Sequence, residues 1–174
     1  MNEKKEALKV LIEHKISGIL SDLGFDSKDS NLEGTPHRIA KMWLDEVFSS
    51  AFCDISELDE KMTLFPAPSD KEVVVKDIPF YSMCAHHFMP FFGKAEVRYV
   101  PSDKVIGLSK IPRVVKWFSK KPQMQENLTK EIGEYLVGIL HPISLKVRLY
   151  DTTHTCVTCR GAESEMTTDT EWEM

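Results

Sequence analysis

The chain has 174 residues, 42% of them hydrophobic, which is enough to bury the core of one ordinary domain without a covalent staple. Its 22 basic and 27 acidic residues leave a net charge of −5. That balance argues against general binding of nucleic acid or of anionic membranes, because both need clustered positive charge. The N-terminus is charged and no apolar run approaches about 18 residues, so we expect neither a signal peptide nor a membrane-spanning helix.

We therefore expect a soluble protein of the reducing cytoplasm. In that compartment the four cysteines predict metal binding or catalysis in preference to a disulfide framework.

Two helices are predicted near the N-terminus. Apolar residues recur at helical spacing over residues 8–23, and Gly24 can end that helix. After a polar loop, Thr35 is placed to cap a second amphipathic helix that has Pro36 at its first position and continues to about Val47.

The periodicity changes from Glu72 onward. Alternating apolar residues predict strands at residues 73–75 and 92–100. Helical spacing then predicts helices at 114–118 and 128–139, and two further strands are predicted at 145–150 and from 153 to about 160. This order predicts an α+β domain in which an antiparallel four-stranded sheet has its helices on one face. The open edges of such a sheet favour association between subunits.

Two clusters of cysteine and histidine carry metal-ligand chemistry. Cys84 and His87 stand three residues apart, so a turn can bring a thiolate and an imidazole to one ion. Cys156 lies in a second cluster, HTCVTCR, at residues 154–160. Together these three residues would form a zinc site whose fourth position stays open for water, as in a catalytic site.

The spacing leaves other interpretations open. Isolated cysteines and histidines are usually packed or surface residues, and Cys159 or His86 can complete a closed, structural four-ligand zinc site. If residues 153–160 form a strand, Cys156 faces the same side as His154 and Arg160, while Cys159 faces away.

A basic segment lies between Lys104 and Lys121, with six basic residues and no acidic one. Ser109 can cap a helix whose first turn carries Lys110 and Arg113, and a hydroxyl, a helix N-terminus and two cations make a polyphosphate site. A solvated basic helix face is the alternative. The sequence contains neither a P-loop nor a dinucleotide glycine fingerprint, so a nucleotide would bind in another way.

Gln125 and Glu126 begin the predicted long helix. An exposed Gln-Glu pair in a first helical turn usually serves only to cap the helix. Any further meaning depends on the features that accompany it.

Taken in order, these segments resemble the GTP cyclohydrolase I family over about residues 35–168. The matching motifs are TPHR at 35–38, SMCAHHFMPFFGKAEVRYVP at 82–101, VIGLSKIPRVVKWFSKKPQMQENLT at 105–129 and HTCVTCRG at 154–161. The resemblance implies the tunnelling fold (T-fold), in which strands of several subunits join into a barrel with helices outside. It implies a helical region at 1–50 and a catalytic region at 51–174 within one structural domain. It also implies a homodecamer with active sites at subunit interfaces.

The resemblance also implies a role for each candidate residue. Cys84, His87 and Cys156 match the zinc ligands, and His86 and His154 match two catalytic histidines. Gln125 and Glu126 match the pair that binds the guanine edge. The triphosphate-binding set is matched by Ser109, Lys110, Arg113 and Arg160, and a further basic position of the family is matched by Arg38.

The implied reaction converts GTP into 7,8-dihydroneopterin triphosphate and formate, the first step of pterin and folate biosynthesis. Zinc lowers the pKa of water toward about 7, and hydroxide attacks carbon 8 of the purine while His154 protonates nitrogen 7. A second hydration releases formate, after which the ribose rearranges and the new ring closes. Lys110, Arg113 and Arg160 offset the charge of the triphosphate.

Two features depart from the family pattern. Ala85 stands where the family usually has the glutamate of Cys-Glu-His-His, and loss of such an outer-shell group typically costs about 10–100-fold in affinity or activity. The C-terminal tail carries five acids instead of a basic stretch and a threonine run: Glu163, Glu165, Asp169, Glu171 and Glu173. Two alternatives therefore stay open. One is an altered enzyme that stops at the ring-opened formamide or uses another purine nucleotide, and the other is a non-catalytic GTP- or pterin-binding paralogue.

Overall fold

The computed structural model describes residues 2–26 and 28–174. The chain forms two compact units, one that ends at Ser49 and one that spans Ser50–Met174. No helix in the described ranges is both long enough and apolar enough to cross a membrane.

The N-terminal unit contains helices α1 (Asn2–Asp22) and α2 (Thr35–Met42), and α2 continues into a π-helical turn at Trp43–Val47. Gly34, with φ of 71°, occupies the N-cap of α2, so the prediction that Thr35 caps this helix is wrong. The Thr35 hydroxyl instead accepts a hydrogen bond from Arg38 Nη2 at 2.7 Å.

A short 3-10 helix (Ser49–Phe52) lies at the start of the C-terminal unit, and the short helix α3 (Ser56–Asp59) follows it. The remaining elements of this unit, in chain order, are β1 (Leu64–Pro66), β2 (Val73–Cys84), β3 (Pro90–Val100), β4 (Lys104–Ile106), α4 (Lys110–Ser119), β5 (Pro122–Gln123), α5 (Gln125–Leu140), β6 (Ser144–His154), α6 (Thr155–Thr158) and β7 (Thr167–Glu173).

Five strands form the main sheet in the order β5-β2-β3-β6-β7, and β1 and β4 form a separate antiparallel pair. The four long strands are antiparallel, as predicted, but the sheet is not four-stranded because β5 adds a short parallel edge along the end of β2. The alternation in β3 buries Ala95, Val97 and Tyr99. These residues join one core cluster with apolar residues of α4 and α5, so the two helices cover that face of the sheet.

The prediction of a strand from Thr153 to about Arg160 is wrong. β6 ends at His154, and the next four residues form the helical turn α6. The Thr155 hydroxyl donates to the Pro90 carbonyl at 2.5 Å, and the Cys159 N–H donates to the Thr155 carbonyl at 3.0 Å. The Cys159 bond closes a helical turn and the Thr155 bond joins that turn to β3, so the alternating side-chain faces expected for a strand do not apply there.

The fourth long strand is β7, which lies in the acidic tail. Its carboxylates face the basic residues of β6. Lys146 Nζ lies 2.7 Å from Glu171 Oε2, and Arg148 Nη2 lies 2.5 Å from Asp169 Oδ2. Opposite charges across neighbouring strands stabilise the pairing, so much of the tail's negative charge serves to attach β7 to the sheet.

Candidate active site

A tight turn at the end of β2 arranges the first metal-ligand cluster. The Cys84 N–H donates to the Met89 carbonyl at 2.8 Å, and the Phe88 N–H donates back to the Cys84 carbonyl at 2.9 Å. The Ala85 N–H donates to the Gln123 carbonyl at 2.9 Å, which ties the turn to β5. This closure brings the His87 imidazole back toward Cys84, with Nδ1 lying 3.9 Å from the Cys84 sulfur.

The helical turn α6 brings Cys156 to the same place. Its sulfur lies 4.0 Å from the Cys84 sulfur, and the ligand atoms of Cys84, His87 and Cys156 all lie within 4.8 Å of one another. A tetrahedral zinc with Zn–S of about 2.3 Å and Zn–N of about 2.0 Å needs ligand atoms roughly 3.5–3.8 Å apart. The three residues therefore fit a metal ion after shifts of a few tenths of an ångström to about one ångström.

The chemistry of the donor set agrees with its geometry. Burial raises the pKa of the Cys156 thiol, and the adjacent Cys84 sulfur raises that pKa further. Two close thiols become thiolates readily only when a cation compensates their charge. Within the described ranges, the group that could hold a metal ion contains these three residues, and Cys159 and His86 are not among them.

His154 stands beside this cluster at the end of β6. Its ring stacks on that of Phe91, the residue that pairs with it on the neighbouring strand β3, with ring centroids 4.9 Å apart and planes 5° from parallel. Its Nε2 lies 2.8 Å from Gln125 Oε1 and 3.1 Å from Thr168 Oγ1. Burial lowers the pKa of His154, and the charge of Glu126 partly opposes that shift. Both the plane of the ring and one of its nitrogens are therefore held by neighbouring side chains.

A cavity of about 300 Å³ connects these groups, a size at the lower end of the range for small-molecule sites. Seven of the predicted site residues line it: Cys84, His86, His87, Gln125, Glu126, His154 and Cys156. Glu126 is exposed, whereas Gln125 is only 3% exposed. The interpretation of this pair as exposed capping residues therefore does not apply to Gln125.

The predicted phosphate-binding residues do not line this cavity. Ser109, Lys110 and Arg113 stand at the start of α4, Arg160 follows α6, and Arg38 belongs to the N-terminal unit. Ser109 occupies the N-cap position of α4, but its side chain makes no capping hydrogen bond, so that detail of the prediction is wrong.

Two residues that contact His154 were not among the site residues predicted from the sequence. Phe91 lies at the start of β3, and its partner across the sheet follows only from the register between β3 and β6. Thr168 lies in β7, within the tail that sequence reasoning treated as a departure from the family. No local pattern distinguishes that threonine from its neighbours.

Comparison with known proteins decides the family. A family model described as GTP cyclohydrolase I matches residues 12–172. The chain belongs to the GTP cyclohydrolase I family. The resemblance found in the motifs at 35–168 is thereby confirmed and extended toward both ends.

Individual relatives agree with this assignment. The GTP cyclohydrolase 1 of Vibrio campbellii is 44% identical, and the alignment covers 96% of this chain and 77% of that protein. The GTP cyclohydrolase 1 of Sulfurihydrogenibium sp. is 46% identical, covering 88% of this chain and 78% of that protein. That of Pelotomaculum thermopropionicum is 42% identical, covering 87% and 79%. This member of the GTP cyclohydrolase I family is therefore an enzyme.

Proposed function

We propose that the protein converts GTP into 7,8-dihydroneopterin triphosphate and formate, using zinc held by Cys84, His87 and Cys156. The observation that carries this proposal is the convergence of three metal-ligand atoms, a stacked histidine and an exposed carboxylate on one cavity. Zinc in a three-ligand site supplies a Lewis acid and lowers the pKa of water toward about 7.

Glu126 is proposed to recognise the guanine edge. Its exposed carboxylate borders the cavity, and an ionised carboxylate only accepts hydrogen bonds. It therefore suits the ring N–H and the exocyclic amino group of guanine, whereas adenine presents an acceptor in place of that ring N–H. Glu126→Gln is expected to raise the KM for GTP about 10-fold or more, because the amide places N–H groups where an acceptor is needed.

His86 and His154 are proposed as the groups that exchange protons with the substrate. His154 borders the cavity with one ring nitrogen already hydrogen-bonded, so the other nitrogen is available to a ligand. His86 Nδ1 lies 3.9 Å from the Cys84 sulfur, which places a second imidazole at the metal side of the cavity.

The triphosphate is proposed to bind basic residues of another copy of the chain. Lys110 and Arg113 form no ion pair with any residue in the described part of the chain, so their charge is open to an anion. Because they do not border the cavity of their own chain, we infer a homo-oligomer, expected to be a decamer. In that oligomer, each site is completed at a subunit interface by five residues of a neighbouring copy: Ser109, Lys110, Arg113, Arg160 and Arg38.

The decisive experiment measures zinc and product on the same preparation. Purified protein of known zinc content is incubated with GTP, and formate and the fluorescent oxidised pterin are quantified. We expect both products in equal amounts and about one zinc per chain. Zinc-loaded protein that yields neither product would refute the proposal.

A matched pair of cysteine variants tests the metal site. Cys156→Ala should abolish zinc retention and turnover, whereas Cys159→Ala should preserve both because Cys159 lies outside the ligand group. Zinc should also protect Cys84 and Cys156 from alkylation and leave the exposed Cys159 reactive. Equal zinc loss in the two variants would contradict this ligand assignment.

Ala85 supports a second candidate function, an enzyme that ends at the ring-opened formamide. Its side chain is exposed next to the metal-ligand turn, where the family motif usually carries a carboxylate. Mass spectrometry of the products from GTP, dGTP and ATP distinguishes the two reactions and reveals any other purine preference. Tight GTP binding without any product would indicate a binding paralogue instead.

A further inference from the structure

The Gln125 side chain is buried within a network whose hydrogen-bond directions can be assigned. Its Nε2 lies 3.1 Å from Thr152 Oγ1, 3.3 Å from the Thr168 carbonyl and 3.5 Å from the Leu149 carbonyl. Carbonyl oxygens only accept hydrogen bonds, so the amide N–H groups must face them. The amide orientation is therefore fixed by its surroundings, and Oε1 is the atom that faces His154.

This orientation determines which nitrogen of His154 carries the proton. Gln125 Oε1 lies 2.8 Å from His154 Nε2 and 2.6 Å from Thr168 Oγ1. Since an amide oxygen only accepts, both neighbours must donate to it. Neutral His154 is therefore the Nε2–H tautomer, with the lone pair on Nδ1. Of the residues described, none forms a hydrogen bond with Nδ1.

The same network shows that Gln125 is already fully used inside the protein. Only 3% of the residue is exposed, and both its oxygen and its nitrogen have protein partners. Contact with a guanine edge would take Gln125 away from these partners and leave buried polar groups without hydrogen bonds, which is unfavourable. Glu126, exposed at the same cavity, carries no such penalty.

We propose that Gln125 and Thr168 are positioning residues that hold His154 as its Nε2–H tautomer and present Nδ1 to the substrate. This inference rests on the proposed function, which gives His154 a proton-transfer role. Nδ1 takes a proton from the substrate to give the imidazolium, whose Nε2–H stays bonded to Gln125, and Nδ1 then returns that proton to the substrate. Because Thr168 belongs to β7, the C-terminal strand takes part in organising the site.

The first test is spectroscopic and needs neither metal nor substrate. In protein with ¹⁵N-labelled histidine at about pH 8, above the ordinary histidine pKa, the His154 signals should show a protonated Nε2 and an unprotonated Nδ1. His154→Asn assigns those signals by their loss. Gln125→Leu should convert them to a mixture of tautomers. A predominantly Nδ1–H tautomer in the wild type, or unchanged signals in Gln125→Leu, would overturn the inference.

The second test separates kcat from KM. Gln125→Leu should lower kcat on the order of tenfold or more while changing the KM for GTP less than about twofold, since an outer-shell orienting bond is removed. A raised KM with unchanged kcat would assign Gln125 to base recognition and overturn the proposal.

A matched control lies on the same strand. Thr168→Val should lower kcat, whereas Thr170→Val should not, because Thr170 bonds Thr129 Oγ1 at 2.6 Å and does not contact His154. Equal losses in both variants, with equal losses of thermal stability, would mean that β7 acts only as structural support. If wild-type protein does not turn over GTP, the proposed function fails while the tautomer measurement still decides this inference.

Discussion

Substitution of Gly133 by alanine tests how β7 attaches to the helical layer. Gly133 is buried within α5, and the indole of Trp172 lies directly over its Cα. An added Cβ would overlap Cε3 and Cζ3 of that ring and lie 2.7 Å from Cδ2. Because three ring atoms are involved, the indole must be displaced as a whole, and β7 must shift with it.

Two opposing effects set the magnitude. Replacing a mid-helix glycine by alanine favours the helix by up to about 1 kcal/mol. Removing a fully buried tryptophan costs about 3–5 kcal/mol, and Trp172 is half-buried, so displacing it should cost roughly 2–3 kcal/mol. The loss of packing is larger, and we expect Gly133→Ala to lower the free energy of unfolding by about 1–2 kcal/mol.

The assay is equilibrium denaturation at one fixed protein concentration, since association also contributes to apparent stability. Gly138→Ala is the control because Gly138 is exposed on α5 and its added Cβ meets nothing within 4 Å. That variant should gain about 0.5–1 kcal/mol. In a Trp172→Ala background, Gly133→Ala should become neutral or stabilising. Equal stabilisation by the two glycine substitutions in the wild-type background would refute the reasoning.

Three further predictions concern charge, the outer shell of the site and metal removal. The Arg148 hydrogen bond holds the pKa of Asp169 below its usual range, so this carboxylate stabilises β7 above about pH 4 and the contribution is lost as the pH falls further. The protection factors of the β7 amides, which are normalised to the intrinsic exchange rate at each pH, should fall there before global unfolding, and simultaneous loss would contradict this. Ala85→Glu should leave the fold intact and raise kcat up to about tenfold, whereas an unchanged kcat would show that no carboxylate is missing. After chelation, diamide should join Cys84 and Cys156 in a disulfide detectable by peptide mass mapping, and zinc should prevent it; free thiols after oxidation of metal-free protein would contradict the convergence of the sulfurs.

The parts of the site that were predictable from sequence are those that local geometry determines. Cys84 and His87 lie within one turn, so their spacing alone brings the two ligand atoms close. The strands around Val97 and Val147 were predictable for a similar reason, because a half-buried strand alternates apolar and polar residues whatever its partner.

Residues 153–160 show where local pattern fails. Threonine, valine and cysteine in alternation favour a strand, but a hydrogen bond from Cys159 to Thr155 closes a helical turn and one from Thr155 to Pro90 joins it to β3. A hydrogen bond to a residue 65 positions away cannot be predicted from the pattern of eight consecutive residues. The burial of Gln125 was hidden for the same reason, since β6 and β7 supply its partners.

The charge distribution shows why sequence averages mislead for this protein. In the acidic tail, Asp169 and Glu171 are matched across the sheet by Arg148 and Lys146, so that negative charge is largely compensated where it stands. The cations at the start of α4 have no such match within the described ranges. A net charge of −5 therefore coexists with an uncompensated positive site, and the proposed triphosphate binding depends on this local imbalance and not on the sum.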